Sequence, residues 1–155
     1  MIIYYIIAMI LIGLDQLSKY LTVQEIALGE VVPVIPNVLS LTYIRNSGAA
    51  WSILEDQMIF FYVITVVVVG ALIYFLHTEG KRSPIASTGI AFIMGGAIGN
   101  FIDRLHLKYV IDMIRLEFIN FPIFNVADMA LTIGVIILIG YIVYDELVKK
   151  KVKGS

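Results

Sequence analysis

The chain has 155 residues, of which 60% are hydrophobic and 15% are charged, and its mean hydropathy is +0.94. Soluble domains usually carry about 25% charged residues, so this composition predicts an integral membrane protein. A net charge of −1 offers no basic surface for nucleic acid. Because the chain has no cysteine and only two histidines, thiol catalysis and disulfides are excluded, and we expect no metal and no cofactor.

Four stretches of the sequence are long and apolar enough to cross a bilayer, which takes about 20 residues. In chain order the predicted spans cover residues 2–23, 58–77, 84–105 and 124–144. The exterior segments are then 24–57 and 106–123, and residues 39–44 alternate in polarity as a short strand does. The sequence therefore predicts a single domain, an all-α membrane protein of four transmembrane helices with a small extracytoplasmic β-sheet.

Basic residues predict how these spans are oriented. Lys81 and Arg82 lie in the short turn between the second and third spans. Another basic cluster follows the fourth span: Lys149, Lys150, Lys151 and Lys153. Because lysine and arginine concentrate on the cytoplasmic side of a membrane, we expect both termini to be cytoplasmic and the two exterior segments to face outward.

Pairs of polar residues lie on one face of the first and fourth spans. Asp15 and Lys19 are four residues apart in the first span, with the acid first, which is the better order for an ion pair. Asn125 and Asp128 are three residues apart at the start of the fourth span and share a face there. These residues are predicted to lie near the outer membrane surface.

The third span carries its polar residues in a similar stripe. Gly96, Asn100 and Arg104 repeat every fourth residue, and Asp103 lies on nearly the same face. Since this span travels outward, its polar end is predicted to meet the polar ends of the first and fourth spans. All three groups are then expected at the level of the outer leaflet.

Among the candidate catalytic residues, Asp128 is the one for which a purely structural role is hardest to find. An ionisable group within a span costs about 2.5–3.5 kcal/mol at the bilayer centre and less near the interface, and it usually marks a functional site. No basic residue follows Asp128 at the third or fourth position, so a local ion pair does not account for it. A carboxylate partner is the alternative.

Two carboxylates could provide that partner. Two neighbouring aspartates share one proton near neutral pH and thus supply a base and an acid, which suits peptide hydrolysis by an activated water. Asp112 lies in the apolar run 109–114, where desolvation is expected to raise its pKa. Asp103 adjoins Arg104, which is expected to keep it ionised. Both remain candidates for the pair with Asp128 on these grounds.

Two functions of other classes also fit a polar cluster in a membrane. Asp15, Asp112 and Asp128 could form the relay of a small proton or ion transporter. Against this, residues 66–75 and 133–144 offer no acid or base that would continue the relay toward the cytoplasm. A non-catalytic scaffold would explain the helices but not the convergence of polar groups. Aspartic peptidase activity is the function that the residues favour.

Five motifs follow one another along the chain. They are residues 15–19 (DQLSK), 45–52 (RNSGAAWS), 95–104 (GGAIGNFIDR), 110–112 (VID) and 124–128 (FNVAD). This ordered set resembles that of the bacterial lipoprotein signal peptidase (signal peptidase II) family, and especially its Gram-positive members. The resemblance covers nearly the whole chain. It implies an aspartic endopeptidase of the bacterial plasma membrane that cleaves prolipoproteins before a cysteine carrying diacylglycerol.

The resemblance also implies roles for individual residues. Asp112 and Asp128 match the catalytic pair, and Asp103 matches another recurrent aspartate and is the second choice for it. Residues that match substrate-binding or supporting positions are Asp15, Lys19, Asn46, Gly48, Gly96, Asn100, Asp103, Arg104, Asn125 and Ala127. The implied partners are a lipidated prolipoprotein and membrane lipid, and we expect the protein to act as a monomer.

The exterior segment from Arg45 to Trp51 is expected to form an outer loop over the active site and to close on the substrate. Trp51 and Met113 both stand where the family commonly has phenylalanine. We expect both positions to contact lipid, so the two departures bear on substrate fit and not on the class of reaction.

Overall fold

A computed structural model describes residues 1–48, 57–78, 80 and 83–153 of the chain. In chain order its elements are α1 (Ile2–Glu25), β1 (Val31–Ile35), β2 (Leu39–Asn46), α2 (Met58–Thr78), α3 (Pro84–Leu107), β3 (Val110–Leu116) and α4 (Val126–Lys153). All four helices have the length and hydropathy of membrane spans. The predicted fold class, four transmembrane helices with a small sheet, is confirmed.

The helix α3 lies at the centre of the bundle and packs against α1, α2 and α4. Glycines make this packing close. A Cβ on Gly96 would overlap the carbonyl oxygen of Ala127 in α4, and a Cβ on Gly99 would lie 2.7 Å from the Asp15 carboxylate in α1. Small residues at such crossings let helix backbones approach each other. The polar ends of α1, α3 and α4 therefore come within hydrogen-bonding distance.

We expect Gly96→Ala to lower the thermal midpoint of the protein in detergent. Its Cβ would also lie 2.8 Å from Leu131 Cγ, so α4 must move, and overpacking of this kind costs about 1–3 kcal/mol. Gly140→Ala is the matched control, because a Cβ at Gly140 on α4 would meet nothing within 4 Å. Equal midpoints for the two variants would contradict the close approach of α3 and α4.

The end of α3 turns the chain back over the bundle. Lys108 has a left-handed backbone with φ of 66°, and its N–H donates to the carbonyl oxygen of Arg104. A residue of this conformation commonly terminates a helix. The chain then enters β3, which carries Asp112 back toward the helix ends.

The three strands form an antiparallel sheet in the order β1, β2, β3. The strand predicted over residues 39–44 is β2, which extends to Asn46. The strand β1 was not predicted, and it tolerates Pro33 because an edge strand can leave one N–H position unpaired. Ile44 pairs with Asp112, and Asn46 pairs with Val110. This register places Asn46 beside Asp112.

One side of the sheet has a small apolar core of its own. Ile26, Tyr43, Ile111 and Met113 are buried together there. The expectation that Met113 contacts lipid is therefore wrong: its side chain is only 3% exposed and packs beneath the sheet. The methionine that stands here in place of the family's common phenylalanine therefore affects the packing of this core. The other departure, Trp51, lies outside the described residues.

The boundaries of the fourth span differ from the prediction. Phe124 pairs with Ile114 as an isolated β-bridge, and the helix begins at Val126, so the start at residue 124 is wrong by two residues. The helix also continues beyond Tyr144, through an Asp145–Lys149 ion pair, to Lys153. Polar residues can end the apolar stretch without ending the helix. The other three helices end only one or two residues after the predicted positions.

Candidate active site

Asp112 and Asp128 open onto the same cavity. Asp112 comes from β3 and Asp128 from the first turn of α4, and the cavity of about 750 Å³ lies between these elements and the helices α2 and α3. Its polar and small lining residues are Asn46, Gly48, Thr65, Ala97, Asn100, Arg104, Asp112, Asp128 and Thr132. The rest of its wall is apolar. Such a cavity can hold a polar reaction centre at one end and an apolar chain along its length.

Two amide groups hold the carboxylate of Asp112. Asn46 Nδ2 donates to Oδ2 at 2.9 Å, and Asn125 Nδ2 donates to Oδ1 at 2.7 Å. Burial raises the pKa of Asp112 to about 6, the hydrogen bond from Asn46 opposes this rise, and the nearby charge of Asp128 adds to it. Asp112 thus changes its charge close to neutral pH, which suits a group that transfers protons.

Asp128 is held by the start of its own helix and by α3. Its Oδ1 accepts from Asn100 Nδ2 at 2.8 Å, and its Oδ2 accepts from the backbone N–H of Asn125 at 3.2 Å. Asn125 Oδ1 in turn accepts from the backbone N–H of Asp128 at 2.9 Å. This reciprocal pair is a capping box, which satisfies two N–H groups at the helix start. Asn125 therefore precedes the helix as its cap and contacts both aspartates.

A buried cation lies beneath this pair of aspartates. Lys19 Nζ lies 2.8 Å from the Asp15 carboxylate and 2.9 Å from the Asp103 carboxylate, and it donates to Asn100 Oδ1 at 2.9 Å. All three hydrogens of the ammonium group are thereby used. The expected Asp15–Lys19 pair is present. The Asp103 carboxylate, which adjoins Arg104 in the sequence, is turned toward Lys19.

This buried group also fixes the elements that carry the two aspartates. Asp15 Oδ1 accepts from the backbone N–H of Ala127 at 2.8 Å, which ties α1 to the start of α4. Asp103 Oδ2 accepts from the backbone N–H of Ile111 at 3.1 Å, which ties α3 to β3. Asp103 does not line the cavity. Its position is that of a support for Asp112.

Gln16 is a site residue that the sequence reasoning missed. Its Nε2 donates to Asp103 Oδ1 at 2.9 Å and to the carbonyl oxygen of Gly99 at 3.2 Å. The sequence signal was its place directly after Asp15 within the first motif. Its side chain carries no charge that would predict a place in the site. Its amide N–H groups nevertheless donate to oxygen atoms that Lys19 leaves free.

Arg104, near the end of α3, also lines the cavity. Its Nη2 donates to the carbonyl oxygen of Gly48 at 3.0 Å, and its guanidinium carbon lies 4.3 Å from the centre of the Phe61 ring. Within the described part of the chain, its buried Nε has no hydrogen-bond partner. Tyr62, which was also not predicted, donates its hydroxyl to the backbone carbonyl of Arg104 at 2.8 Å. Phe61 and Tyr62 thus position a residue that the motif did predict.

The beginning of the predicted outer loop is seen at Asn46 and Gly48. Asn46 Oδ1 accepts from the backbone N–H of Gly48 at 2.9 Å. Residues 49–56 of this loop lie outside the described residues. Across ranges 1–48, 57–78, 80 and 83–153, no three histidine, aspartate or glutamate side chains come together as metal ligands. Among the described residues, the acidic groups that line the cavity are two carboxylates held by amide donors.

Comparison with known proteins identifies the family. The sequence profile of signal peptidase (SPase) II matches residues 7–144. A lipoprotein signal peptidase of Enterococcus faecalis is 55% identical over 155 residues, which are 100% of this chain and 96% of the relative. One of Latilactobacillus sakei is 49% identical over 148 residues, covering 96% of this chain and 98% of the relative. The predicted resemblance is confirmed.

Solved structures agree with the sequence comparisons. A bacterial membrane enzyme solved by the in meso method at 2.3 Å has a TM-score of 0.89 and 39% identity, with 92% of this chain and 88% of that chain covered. Another, at 1.9 Å, has a TM-score of 0.84 and 39% identity, covering 90% and 91%. Profile, relatives and fold lead to the same conclusion: the chain belongs to the signal peptidase II family, a family of aspartic peptidases.

Proposed function

We propose that this protein removes the signal peptide from prolipoproteins and that Asp112 and Asp128 are its catalytic pair. The observation that carries the assignment is that, among the described residues, these are the two acidic side chains that line the cavity. Asp103, the second choice, is buried against Lys19 and turned away from the cavity. The names of the relatives support the prolipoprotein as substrate.

The reaction follows from two carboxylates that share one proton. A water molecule between Asp112 and Asp128 gives a proton to the ionised carboxylate and attacks the scissile carbonyl carbon. The protonated carboxyl gives its proton to the carbonyl oxygen. As the tetrahedral intermediate collapses, the carboxyl that took the water proton gives it to the leaving amine, and the other carboxylate takes a proton back from the intermediate. The pair titrates as a unit, so base and acid roles belong to the pair. Asn46, Asn100 and Asn125 keep both carboxylates in place.

The surrounding residues have supporting roles in this proposal. Arg104 orients the substrate, because its buried Nε donor has no partner among the described residues at the edge of the cavity. Gly48 is held by Arg104 at the start of the outer loop. A second set brings the helix ends together and braces the pair: Asp15, Lys19, Gly96, Asp103 and Ala127.

The cavity also fits the apolar part of a lipidated precursor. Its wall between α2 and α4 is lined by Ile64, Val68, Leu131 and Ile133, which offer an apolar path from the bilayer. We propose that the diacylglyceryl chains enter by this path. The protein acts as a monomer, with both termini in the cytoplasm and the active site near the outer leaflet of the plasma membrane. The basic clusters between α2 and α3 and at the end of α4, which both fall on the cytoplasmic side in this topology, support this orientation.

Cleavage of a lipidated precursor by the purified protein in detergent tests this function. We expect release of the signal peptide from the diacylglyceryl-modified precursor. An unlipidated precursor of the same sequence should be cleaved with kcat/KM lower by at least about 10-fold, since each buried methylene contributes about 0.8 kcal/mol to placement. Equal rates for the two precursors would contradict lipid entry, and no cleavage of either would contradict the function.

The pH dependence of cleavage tests the role of Asp112. The pair needs one protonated and one ionised carboxyl, and the proton on Asp112 is lost above pH about 6, so kcat/KM should fall as the pH increases through this value. Asn46→Ala removes a hydrogen bond that lowers the pKa of Asp112, so this fall should begin at higher pH. Asn120→Ala, at an exposed position outside the cavity, is the control. An unshifted profile in Asn46→Ala would count against Asp112.

A further inference from the structure

A second apolar surface lies at one end of the sheet and adjoins the cavity. We call it the sheet tip and define it by five side chains that are between 43% and 61% exposed: Ile35, Val38, Phe118, Ile119 and Phe121. The turn between β1 and β2 and the segment after β3 meet here, because the backbone N–H of Glu117 donates to the carbonyl oxygen of Val38 at 3.0 Å. The tip is thus one continuous surface formed by two chain segments.

The tip exposes apolar side chains and carries no charge, so its contact with water is unfavourable. Residues 31–44 and 118–127 contain no charged side chain. The edge strand β1 is exposed along its whole length and consists of valine, proline and isoleucine. An exposed apolar edge strand in water is a site of aggregation, and large apolar patches on proteins usually mark contact with a partner or a membrane.

The tip is continuous with the part of the protein that lies in the membrane. The segment 118–125 leads directly into α4, so Phe121 is five residues from the first residue of a membrane span. Phe121 packs edge-to-face on Phe124 with ring centres 5.8 Å apart, and both residues line the cavity. The apolar surface of the tip therefore adjoins the cavity through Phe121 and Phe124. Acyl chains are the occupant that this continuity favours.

We propose that the sheet tip inserts into the leaflet that borders the sheet and anchors the sheet on the membrane surface. The apolar side chains of the tip contact acyl chains, while Arg115 and Glu117, which pair with each other at 3.3 Å, remain at the level of the headgroups. That this leaflet is the outer one rests on the proposed function. Contact of the tip with lipid rests only on the structure.

Fluorescence quenching by lipid tests the tip directly. The chain has one tryptophan, so Trp51→Phe gives a background without tryptophan emission. In that background, Phe118→Trp places a probe on the tip, and Arg45→Trp places one at the opposite end of β2 as a matched control. Both proteins are reconstituted in phosphatidylcholine vesicles whose acyl chains are brominated at carbons near the headgroup.

We expect the probe at position 118 to lose at least about half of its emission in brominated vesicles, and the probe at position 45 to lose far less. Aqueous iodide should quench the two probes in the reverse order. Iodide quenching at position 118, without quenching by brominated lipid, would overturn the proposal. So would a blue shift at position 118 that appears only at high protein density, because a second copy would then cover the tip.

Substitutions on the tip separate lipid contact from folding. With the probe moved to position 119, a tip residue that does not line the cavity, Phe118→Asp should reduce its quenching by brominated lipid, whereas Phe118→Leu should retain it. Equal quenching in the two variants would overturn insertion of the tip. This readout does not depend on cleavage, so a protein that fails to process precursors but is quenched at the tip refutes the proposed function alone.

Discussion

Replacing Asp112 or Asp128 with asparagine is expected to reduce cleavage of the lipidated precursor at least about 10³-fold, because each change removes a proton-transfer group. Asparagine keeps the volume of the side chain and one oxygen atom, which can accept one of the two hydrogen bonds that each carboxylate receives. The variants should therefore remain folded. The measurement is single-turnover cleavage in detergent together with the thermal midpoint of each variant.

Two control variants make this result specific. Asp145→Asn removes an aspartate on α4 that pairs with exposed Lys149, and it should leave the rate unchanged. Asp103→Asn should keep more activity than either catalytic variant, since Asp103 supports β3 from below. Substantial turnover by Asp112→Asn, together with an inactive but folded Asp103→Asn, would exchange the two residues in the proposed pair.

Lys19→Met is expected to have the largest effect on stability. It leaves the carboxylates of Asp15 and Asp103 buried without their cation, and breaking a buried ion pair in this way costs about 3–5 kcal/mol. The side chains are similar in length, so the loss of charge outweighs any loss of packing. We expect a thermal midpoint well below that of the unmodified protein in the same detergent.

The same chain offers a matched control for this change. Asp145 and Lys149 have the same spacing and order as Asp15 and Lys19, but their side chains are 37% and 60% exposed. Exposed pairs contribute little because water solvates both partners. Lys149→Met should leave the midpoint unchanged. Similar midpoints for Lys19→Met and Lys149→Met would show that burial of the cation does not stabilise the bundle.

Much of the fold could be predicted because the membrane restricts what an apolar segment can do. Within lipid a chain must satisfy its own backbone hydrogen bonds, so a run of 20 apolar residues becomes a helix. This is why the helices α1, α2 and α3 end within two residues of their predicted positions. The start of α4 was less predictable, because Phe124 bonds to Ile114 across 10 residues of sequence.

Residues on one helix face could be predicted to share the site, but their partners could not. Helical spacing placed Asn100, Asp103 and Arg104 near one another on α3. Whether Asp103 pairs with neighbouring Arg104 or with Lys19 depends on how α1 is rotated against α3, and sequence spacing carries no information on that rotation. The roles of Gln16 and Tyr62 were missed for the same reason, since each acts across a helix interface.

The buried ion group also bears on how the protein enters the membrane. During synthesis α1 leaves the ribosome before α3 exists, so Lys19 cannot yet meet Asp103 or Asn100. Asp15 is the partner already present, one turn away on the same helix, at 2.8 Å in the finished structure. A cation and an anion that enter the bilayer together cost less than either alone. The first helix thus carries its own counterion through insertion, and α3 later adds Asp103 and Asn100 to an ammonium group already held in place.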